Sequence, residues 1–558
     1  MDGLRIDTMN TDSYHPNPVP AGPAPLPTRR AQLLSQLANH PGFDLLVIGG
    51  GATGLGVAVD AVTRGLSVAL VEAHDFAKGT SSRATKLVHG GVRYLAQGNI
   101  GLVREALHER ASLLANAPHL AQPLPFVMPS YKLWETAFYG AGLRAYDALA
   151  GAAGLGATEL LSTRSVTALL PNVQRHGLRG GVKYWDGQFD DARLALALAR
   201  TAAQHGALLA NYCRVASVMH DGQGRACGAT VVDAETQQHF AIQARCVVNA
   251  TGVWVDAVRA LDEQAAGRSV APMVSPSQGA HLVVDRRFWP CEHALLVPKT
   301  HDGRVLFAVP WLGKVILGTT DHPRSDLPLE PRPLVQELQF ILQEAGRYLA
   351  EAPELSDVLS AWAGLRPLVR PTADAGGNTK GISREHTVQT SASGMVTVTG
   401  GKWTTYRAMA EDVIRHCQLA GVLPVKLPGS ITRNLALAGA GAREAGRPQL
   451  THSLALSQGL QAYGADAPWV QALPGADAPL APDLGLTEAM VRFAVRHEYA
   501  RSVEDVLARR SRLLFLDARL AVQVAPRVAA LLEEELGQRP QGEDFAALAG
   551  QYALQDVG

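Results

Sequence analysis

From Phe43 to about residue 425 the chain alternates short apolar runs rich in β-branched residues with longer stretches whose apolar positions recur three and four apart. The runs "FDLLVIG", "LSVALVE", "RCVVNATG", "GAHLVVD", "RVLFAVP", "KVILGTTD" and "MVTVTGG" predict strands, and their alternation with helical patterns predicts an α/β unit. After about residue 430 the strand signals stop. "LTEAMVRFAVRHEYARSVEDVLARRSRLLFLDARLAVQVAPRVAALLEEELG" keeps a helical period and predicts a separate all-helical domain, 431–558. Within it Arg509, Arg510 and Arg512 are read as a solvated helix face, with a partner-binding patch as the alternative. Residues 1 to about 28 are rich in Pro and Ala and lack apolar periodicity. A flexible N-terminal segment is predicted through residue 41, with folding starting near Phe43.

Composition narrows the class. A chain of 558 residues exceeds one ordinary core, and 47% hydrophobic with 18% charged residues is a soluble globular make-up. The formal net charge of zero argues against a non-specific nucleic-acid binder, which needs an excess of Lys and Arg. Cys213, Cys227, Cys246, Cys291 and Cys417 are odd in number and never form a Cys-x-x-Cys pair, so reduced, mostly buried thiols of a cytosolic protein are expected rather than a disulfide frame or a metal site. No uncharged apolar run reaches the roughly 18 residues a spanning helix needs, and the N-terminal stretch has no apolar signal core.

"FDLLVIGGGATGLGVAVDAVTRGLSVALVEA" places Gly49, Gly51 and Gly54 between a buried strand and an amphipathic helix, and a second strand then runs to Glu72. The glycines permit a tight turn and close helix packing, the helix N-terminus faces a pyrophosphate, and an acid about 20 residues on accepts from ribose hydroxyls. A nicotinamide enzyme would continue with further strands of the same kind. Here the chain enters "TSSRATKLVHGGVRYL", a polar, glycine-containing loop suited to a longer ligand lying across the protein, which favours FAD. Two more segments either bring backbone towards such a ligand or are, respectively, an ordinary strand end and a capped surface helix with an exposed Lys. "RCVVNATGVWVD" ends a strand at Asn249, followed by Ala250 and a turn at Gly252. "MVTVTGGKWTTYRAMAEDVIRHC" stops at Gly400 and Gly401 and starts a helix at Lys402 to Thr405, where an N-terminus with an added Lys stabilises the negative charge of a reduced flavin.

Taken in order, "IGGGATGLG", "EAHDFAKGTSSRATKLVHGGVRYL", "FDDARL", "VNATGVWVD", "GTTD", "GLRPLV", "ISREHTV" and "GGKWTTYR" closely resemble the FAD-dependent, quinone-linked respiratory glycerol-3-phosphate dehydrogenases of the D-amino-acid-oxidase-like flavoprotein class. The match spans about residues 43–425, and "VRHEYARSVEDVLARR" resembles that family's C-terminal domain. The resemblance implies a Rossmann-type FAD-binding unit (about 42–125, 185–270 and 360–430) interleaved with a cap unit holding an antiparallel sheet (about 126–184 and 271–359). It implies oxidation of sn-glycerol 3-phosphate to dihydroxyacetone phosphate, with electrons passing to a membrane quinone.

In the loop, Thr80, Ser81, Ser82, Lys86, Leu87 and His89 with the pair Gly90 and Gly91 are expected along the cofactor, joined by Thr404 and Lys402 from the last segment. By the resemblance the substrate pocket would hold Arg93, Tyr94, His281, Arg366, Arg384 and Lys402. A phosphate dianion bearing a secondary alcohol needs forked cations and a neutral base. Arg384 and Arg93 are the phosphate candidates, Arg366 would hold the substrate oxygen, and His281 is the first choice for the base, with a neutral Lys402 as the rival.

The Pro-rich lead-in is extra to the family's usual start, and no D-x-[DN]-x-[DN]-G loop occurs, so the bacterial form without a calcium module is expected, and no metal. "YKLWETAFYGAGLRAYDALAGAAG" sets Trp134, Phe138, Leu143 and Tyr146 at near-helical spacing with Lys132 and Arg144 among them. This is either a helix lying on a membrane or a helix packed on the cap. The expected location is therefore cytoplasmic, peripheral to the inner membrane, with a homodimer left open. Oxygen in place of quinone is the alternative acceptor, and a non-catalytic flavin sensor is the alternative of another class.

Overall fold

The computed structural model describes residues 24–95, 99–264, 267–370, 386–441, 453–540 and 544–555. Two sheets organise it. In the first, which has eight strands, Phe43–Ile48 lies between His239–Asn249 and Val68–Val71, parallel to both. Val396–Gly400 extends this sheet in parallel on one side and Leu208–Ala210 on the other. Strands buried on both faces read as continuous apolar runs, which is why the sequence pattern found them. Helices Ala52–Thr63, Asp191–Gln204 and Tyr406–Leu419 cover one face through Leu55, Val59, Leu194, Leu198 and Val413, which pack with Leu45, Val47, Leu70 and Val248.

The second sheet has ten strands and is largely antiparallel. Its long strands Val274–Asp285 and Val358–Val369 pair from Val274 opposite Val369 to Val284 opposite Val358. Ala121–Ser130 and Gly180–Phe189 pair along their whole length. Strand Val358–Val369 therefore belongs wholly to the cap sheet, so the return to the first sheet falls after residue 369 rather than at 360. Likewise Ala121–Ser130 enters the cap sheet before residue 126, and Gly180–Phe189 leaves it after residue 184. Apolar runs predict strands, but sheet membership depends on partners far along the chain.

Two further expectations change. The segment assigned as flexible contains a helix, Arg30–Asn39, with Leu37 buried against the first sheet. Arg30 donates to the Asn211 carbonyl at 2.7 Å and pairs with Asp233, while Thr28 N donates to the Arg496 carbonyl at 2.8 Å. Three leucines in ten residues gave little periodicity to read, and distant partners order the segment. Among its described residues the regular structure of the C-terminal unit is helical apart from a two-stranded ribbon, Pro479–Ala481 with Leu486–Thr487.

Arg509, Arg510 and Arg512 do not form a solvated face, since all three are buried. Helix geometry widens into a π turn over Asp505–Arg510, and Arg512 sits at a φ of +66°, so the three cations turn inward. Arg509 and Arg510 pair with buried Asp75, and Arg512 with Asp191. A 3.6-residue period cannot register such a break.

Candidate active site

Strand Phe43–Ile48 delivers the chain to Gly49, whose φ of +112° suits glycine. A Cβ on Gly49 would stand 2.7 Å from the Ala250 carbonyl oxygen, and one on Gly54 would stand 2.0 Å from that of Gly49. Only bare backbone lets the turn, the helix and the neighbouring strand end come this close. Helix Ala52–Thr63 has no acid in its first turn and no side-chain cap, leaving its positive end suited to an anion. Glu72 ends the second strand. Its carboxylate accepts from Gly50 N at 2.6 Å and His74 N at 2.9 Å, and burial pushes its protonation upward against those two bonds.

Loop 80–91 is tied into this turn from several sides. Ser81 Oγ accepts from Ala52 N at 2.9 Å, and the Ser81 carbonyl accepts from Trp403 Nε1 at 2.9 Å. Thr80 Oγ1 donates to the Leu365 carbonyl at 2.5 Å, and Thr404 Oγ1 to that of His89 at 3.4 Å. Around these ties opens a cavity of about 650 Å³. Gly49, Gly51, Glu72, Thr80, Ser81, Leu87 and His89 line it, with Ala250 and Gly252 on one flank and Gly400, Gly401, Lys402 and Thr404 on another. The residues fit FAD. Volume, glycine cradle, a helix N-terminus without an acid in its first turn and the carboxylate of Glu72 occur together, as a long dinucleotide requires.

The other expected cofactor residues stand behind the lining. Gly54 packs beneath Gly49. The buried Ser82 offers its carbonyl to two cations, Lys86 Nζ at 2.7 Å and Arg512 Nη2 at 2.8 Å. Lys86, at a φ of +66°, turns wholly into the core, where Nζ meets Asp191 at 2.7 Å. Burial first, and then the Arg512 charge, lower its pKa to about 7. Gly90 lies against Tyr146 and Leu107, and Gly91 is buried outside the lining.

At the far end of the cavity, Val274–Asp285 and Val358–Val369 bring two predicted pocket residues together. Ser277 pairs with Arg366 and His281 with Trp362. Residues 277, 279 and 281 share one face, so the Arg366 guanidinium lies across Gly279, where a Cβ would be 2.1 Å from Nη2. That guanidinium donates to the Gln278 carbonyl at 3.3 Å, the Thr320 carbonyl at 3.0 Å and Thr319 Oγ1 at 3.2 Å, with Asp321 at 3.5 Å. The His281 ring stacks on Trp362 with centroids 5.3 Å apart, and its Nε2 is 2.9 Å from Thr85 Oγ1. Burial, then the Arg366 and Lys86 charges, hold His281 well below the usual histidine pKa, so it is neutral at pH 7.

Lys402 lines the cavity at the head of the turn Trp403–Thr405. Arg384 and the side chains of Arg93 and Tyr94 lie outside the described residues. Among the described residues no group of His, Cys, Asp or Glu is arranged to hold a metal. Sequence reasoning missed Thr85, Gly279 and Trp403. Thr85 was one hydroxyl among several in its loop, Gly279 had no turn to mark it, and Trp403 sat inside a quoted motif without an assigned role.

The comparisons agree with this geometry. Residues 44–407 match the family described as FAD dependent oxidoreductase, and residues 430–542 match the C-terminal domain of alpha-glycerophosphate oxidase. The chain is 42% identical to the mitochondrial glycerol-3-phosphate dehydrogenase of Mus musculus and equally to that of Homo sapiens, in each case over 91% of this chain and 72% of the relative. The glycerol-3-phosphate dehydrogenase of Bacillus halodurans, solved with FAD, superposes with a TM-score of 0.73 at 29% identity, covering 94% of this chain and 97% of that one. Cradle, cavity and relatives together place the chain in the FAD-dependent glycerol-3-phosphate dehydrogenase family.

Proposed function

We propose that the chain oxidises sn-glycerol 3-phosphate to dihydroxyacetone phosphate and passes the electrons to a quinone at a membrane surface. The observation that carries the reading is the pairing of a buried neutral His281 with a preorganised Arg366 at one end of a cavity whose other end is a dinucleotide cradle. Bound FAD supplies the two-electron acceptor for the hydrogen on C2. Arg366 orients the C2 oxygen, and its charge favours the developing carbonyl dipole. His281 takes the hydroxyl proton, for which its neutral state is the competent one. Arg93 and Arg384 are assigned to the phosphate, and Lys402 to the cofactor's electron-rich edge, with the base role as its alternative.

The membrane half of the reading rests on helix Glu135–Ala150 and the residues before it. Leu133, Trp134 and Phe138 are 84%, 53% and 64% exposed, while Leu143 and Tyr146 on the opposite face are buried. Lys132 lies over the Trp134 ring. An apolar, aromatic face flanked by a base suits a headgroup boundary. Among the described residues no helix is long and apolar enough to cross a membrane. Attachment at the cytoplasmic face of the inner membrane belongs to this proposal, and the exposed apolar face supports its membrane contact.

The test is anaerobic addition of sn-glycerol 3-phosphate to the FAD-loaded protein while flavin absorbance is followed. Bleaching is expected, and an unchanged spectrum would overturn the substrate assignment. Reoxidation of the bleached protein should be fast with a quinone analogue and slow with oxygen. The reverse order would make it an oxidase.

A further inference from the structure

The arrangement around His281 raises the question of how a proton reaches its ring. The residue is 2% exposed although it borders the cavity. Trp362 stacks on the ring with an interplanar angle of 19°, and Gly318 closes the Cδ2 edge, where a Cβ would be 2.6 Å away. The ring is therefore held in one orientation. Nδ1 is buried and, among the described residues, makes no hydrogen bond, whereas Nε2 is engaged with Thr85 Oγ1 at 2.9 Å. Thr85 is half-buried and lines the same cavity. Among the described residues its hydroxyl makes no hydrogen bond other than the one to His281. A threonine hydroxyl can accept one proton while donating another, and here it stands against the one ring nitrogen that has a partner.

We propose that Thr85 is a proton relay between the substrate and His281. The inference rests on the glycerol 3-phosphate reading. As the C2 oxygen–hydrogen bond of the substrate breaks, its proton bonds to Thr85 Oγ1 and the Thr85 proton bonds to His281 Nε2. The C2–hydrogen bond breaks with its electron pair going to the bound flavin, and the C2–oxygen bond becomes the carbonyl. Thr85 ends the step as it began, a neutral hydroxyl, and His281 carries the positive charge. Arg366 and Lys86 are the charged groups that oppose that charge, and the dianionic phosphate of the substrate counters them.

The experiment compares Thr85→Val, which removes the hydroxyl at nearly constant shape, with Thr85→Ser, which keeps it. Thr85→Ala carries the same expectation as Val if the larger side chain is not tolerated. In anaerobic stopped flow, Thr85→Val should bleach at least about a hundredfold more slowly, the lower end of what positioned proton transfer contributes. Thr85→Ser should stay within about threefold of the parent, because the relaying hydroxyl remains. FAD content and dihydroxyacetone phosphate affinity should be unchanged in both.

The double variant Thr85→Val/His281→Ala should be no slower than His281→Ala alone, since the two residues act as one unit. Independently of turnover, ¹⁵N spectra of histidine-labelled, FAD-loaded protein should show the His281 Nε2 resonance, assigned by its loss in His281→Gln, moving in Thr85→Val and not in Thr85→Ser. Parent-like bleaching by Thr85→Val, effects that multiply in the double variant, or an unmoved Nε2 resonance each overturn the relay. Failure of the parent protein itself to bleach overturns the functional reading, and the ¹⁵N measurement then still decides the Thr85 to His281 link.

Discussion

Gly279 shows how much chemistry can hang on a missing side chain. The Arg366 guanidinium occupies the space a Cβ would take, 2.1 Å from Nη2, and the backbone at Gly279 does not itself require glycine. Gly279→Ala should therefore fold and load FAD but displace the guanidinium from its carbonyl partners. A hydrogen bond to a charged group contributes about 1.5–3 kcal/mol. The corresponding loss in kcat/KM is roughly ten- to a hundredfold, measurable with the FAD content of each preparation as control. For His281→Ala the expected fall in anaerobic bleaching is about 10²- to 10⁴-fold. The low pKa of His281 also sets the sign of a pH effect on stability. The unfolded histidine takes up a proton below about pH 6.5, the folded one does not, and stability falls as pH drops from there towards the folded pKa.

At the scale of elements, the C-terminal unit does more than pack on the second sheet. Arg512 reaches from it to the Ser82 carbonyl at 2.8 Å and Asp191 at 3.1 Å, so the loop that carries Ser81 and Thr85 hangs on a residue more than 400 positions away. Removing the only partner of a buried charge costs about 3–5 kcal/mol, and because Asp191 keeps Lys86 when Arg512 is lost the cost here falls below that range. Arg512→Met should lower the urea midpoint accordingly and weaken FAD retention, whereas Arg527→Ala, at an exposed pair with Glu488, should change either little. His119 lies where Gly439 and Gly464 pack on it, and burial followed by the charges of Arg193 and Arg200 lowers its pKa to about 3. Between about pH 6.5 and 3 it adds to the same acid-side loss, since the unfolded chain protonates first. Urea titrations of His119→Gln should show a shallower dependence on pH across that window.

For the whole molecule, the exposed face of Leu133, Trp134 and Phe138 points away from a helix whose inner side holds Tyr146. Tyr146 donates to Asp186 at 2.9 Å and its hydroxyl fills the space beside Gly90, so the outer surface and the active-site loop share one helix. Replacing the three exposed residues by Ser should leave anaerobic bleaching by glycerol 3-phosphate unchanged while sedimentation with anionic vesicles falls by tenfold or more, given about 0.8 kcal/mol per buried CH₂ lost from the lipid contact. Equal sedimentation of parent and variant would move the membrane contact elsewhere on the surface.

The strands of the first sheet, the glycine turn with Glu72, the polar loop at 80–91 and the helical tail were legible along the chain. Each rests on short-range rules: the continuous apolar run of a strand buried on both faces, the three-and-four spacing of a helix, the φ demands of glycine and the fixed distance from a turn to the next strand end. These local patterns determined the fold class and the cofactor. Only the tertiary structure decided which neighbour faces which way. Thr85 borders the cavity while Lys86, one residue on, turns into the core to meet Asp191, more than 100 positions away. Arg509, Arg510 and Arg512 turn inward to Asp75 and Asp191 through a break in helical period, and Arg30 orders an N-terminal helix against Asp233. In every such case the deciding partner is distant in sequence. A buried charge takes the orientation that satisfies it, and no local pattern records where its partner will be.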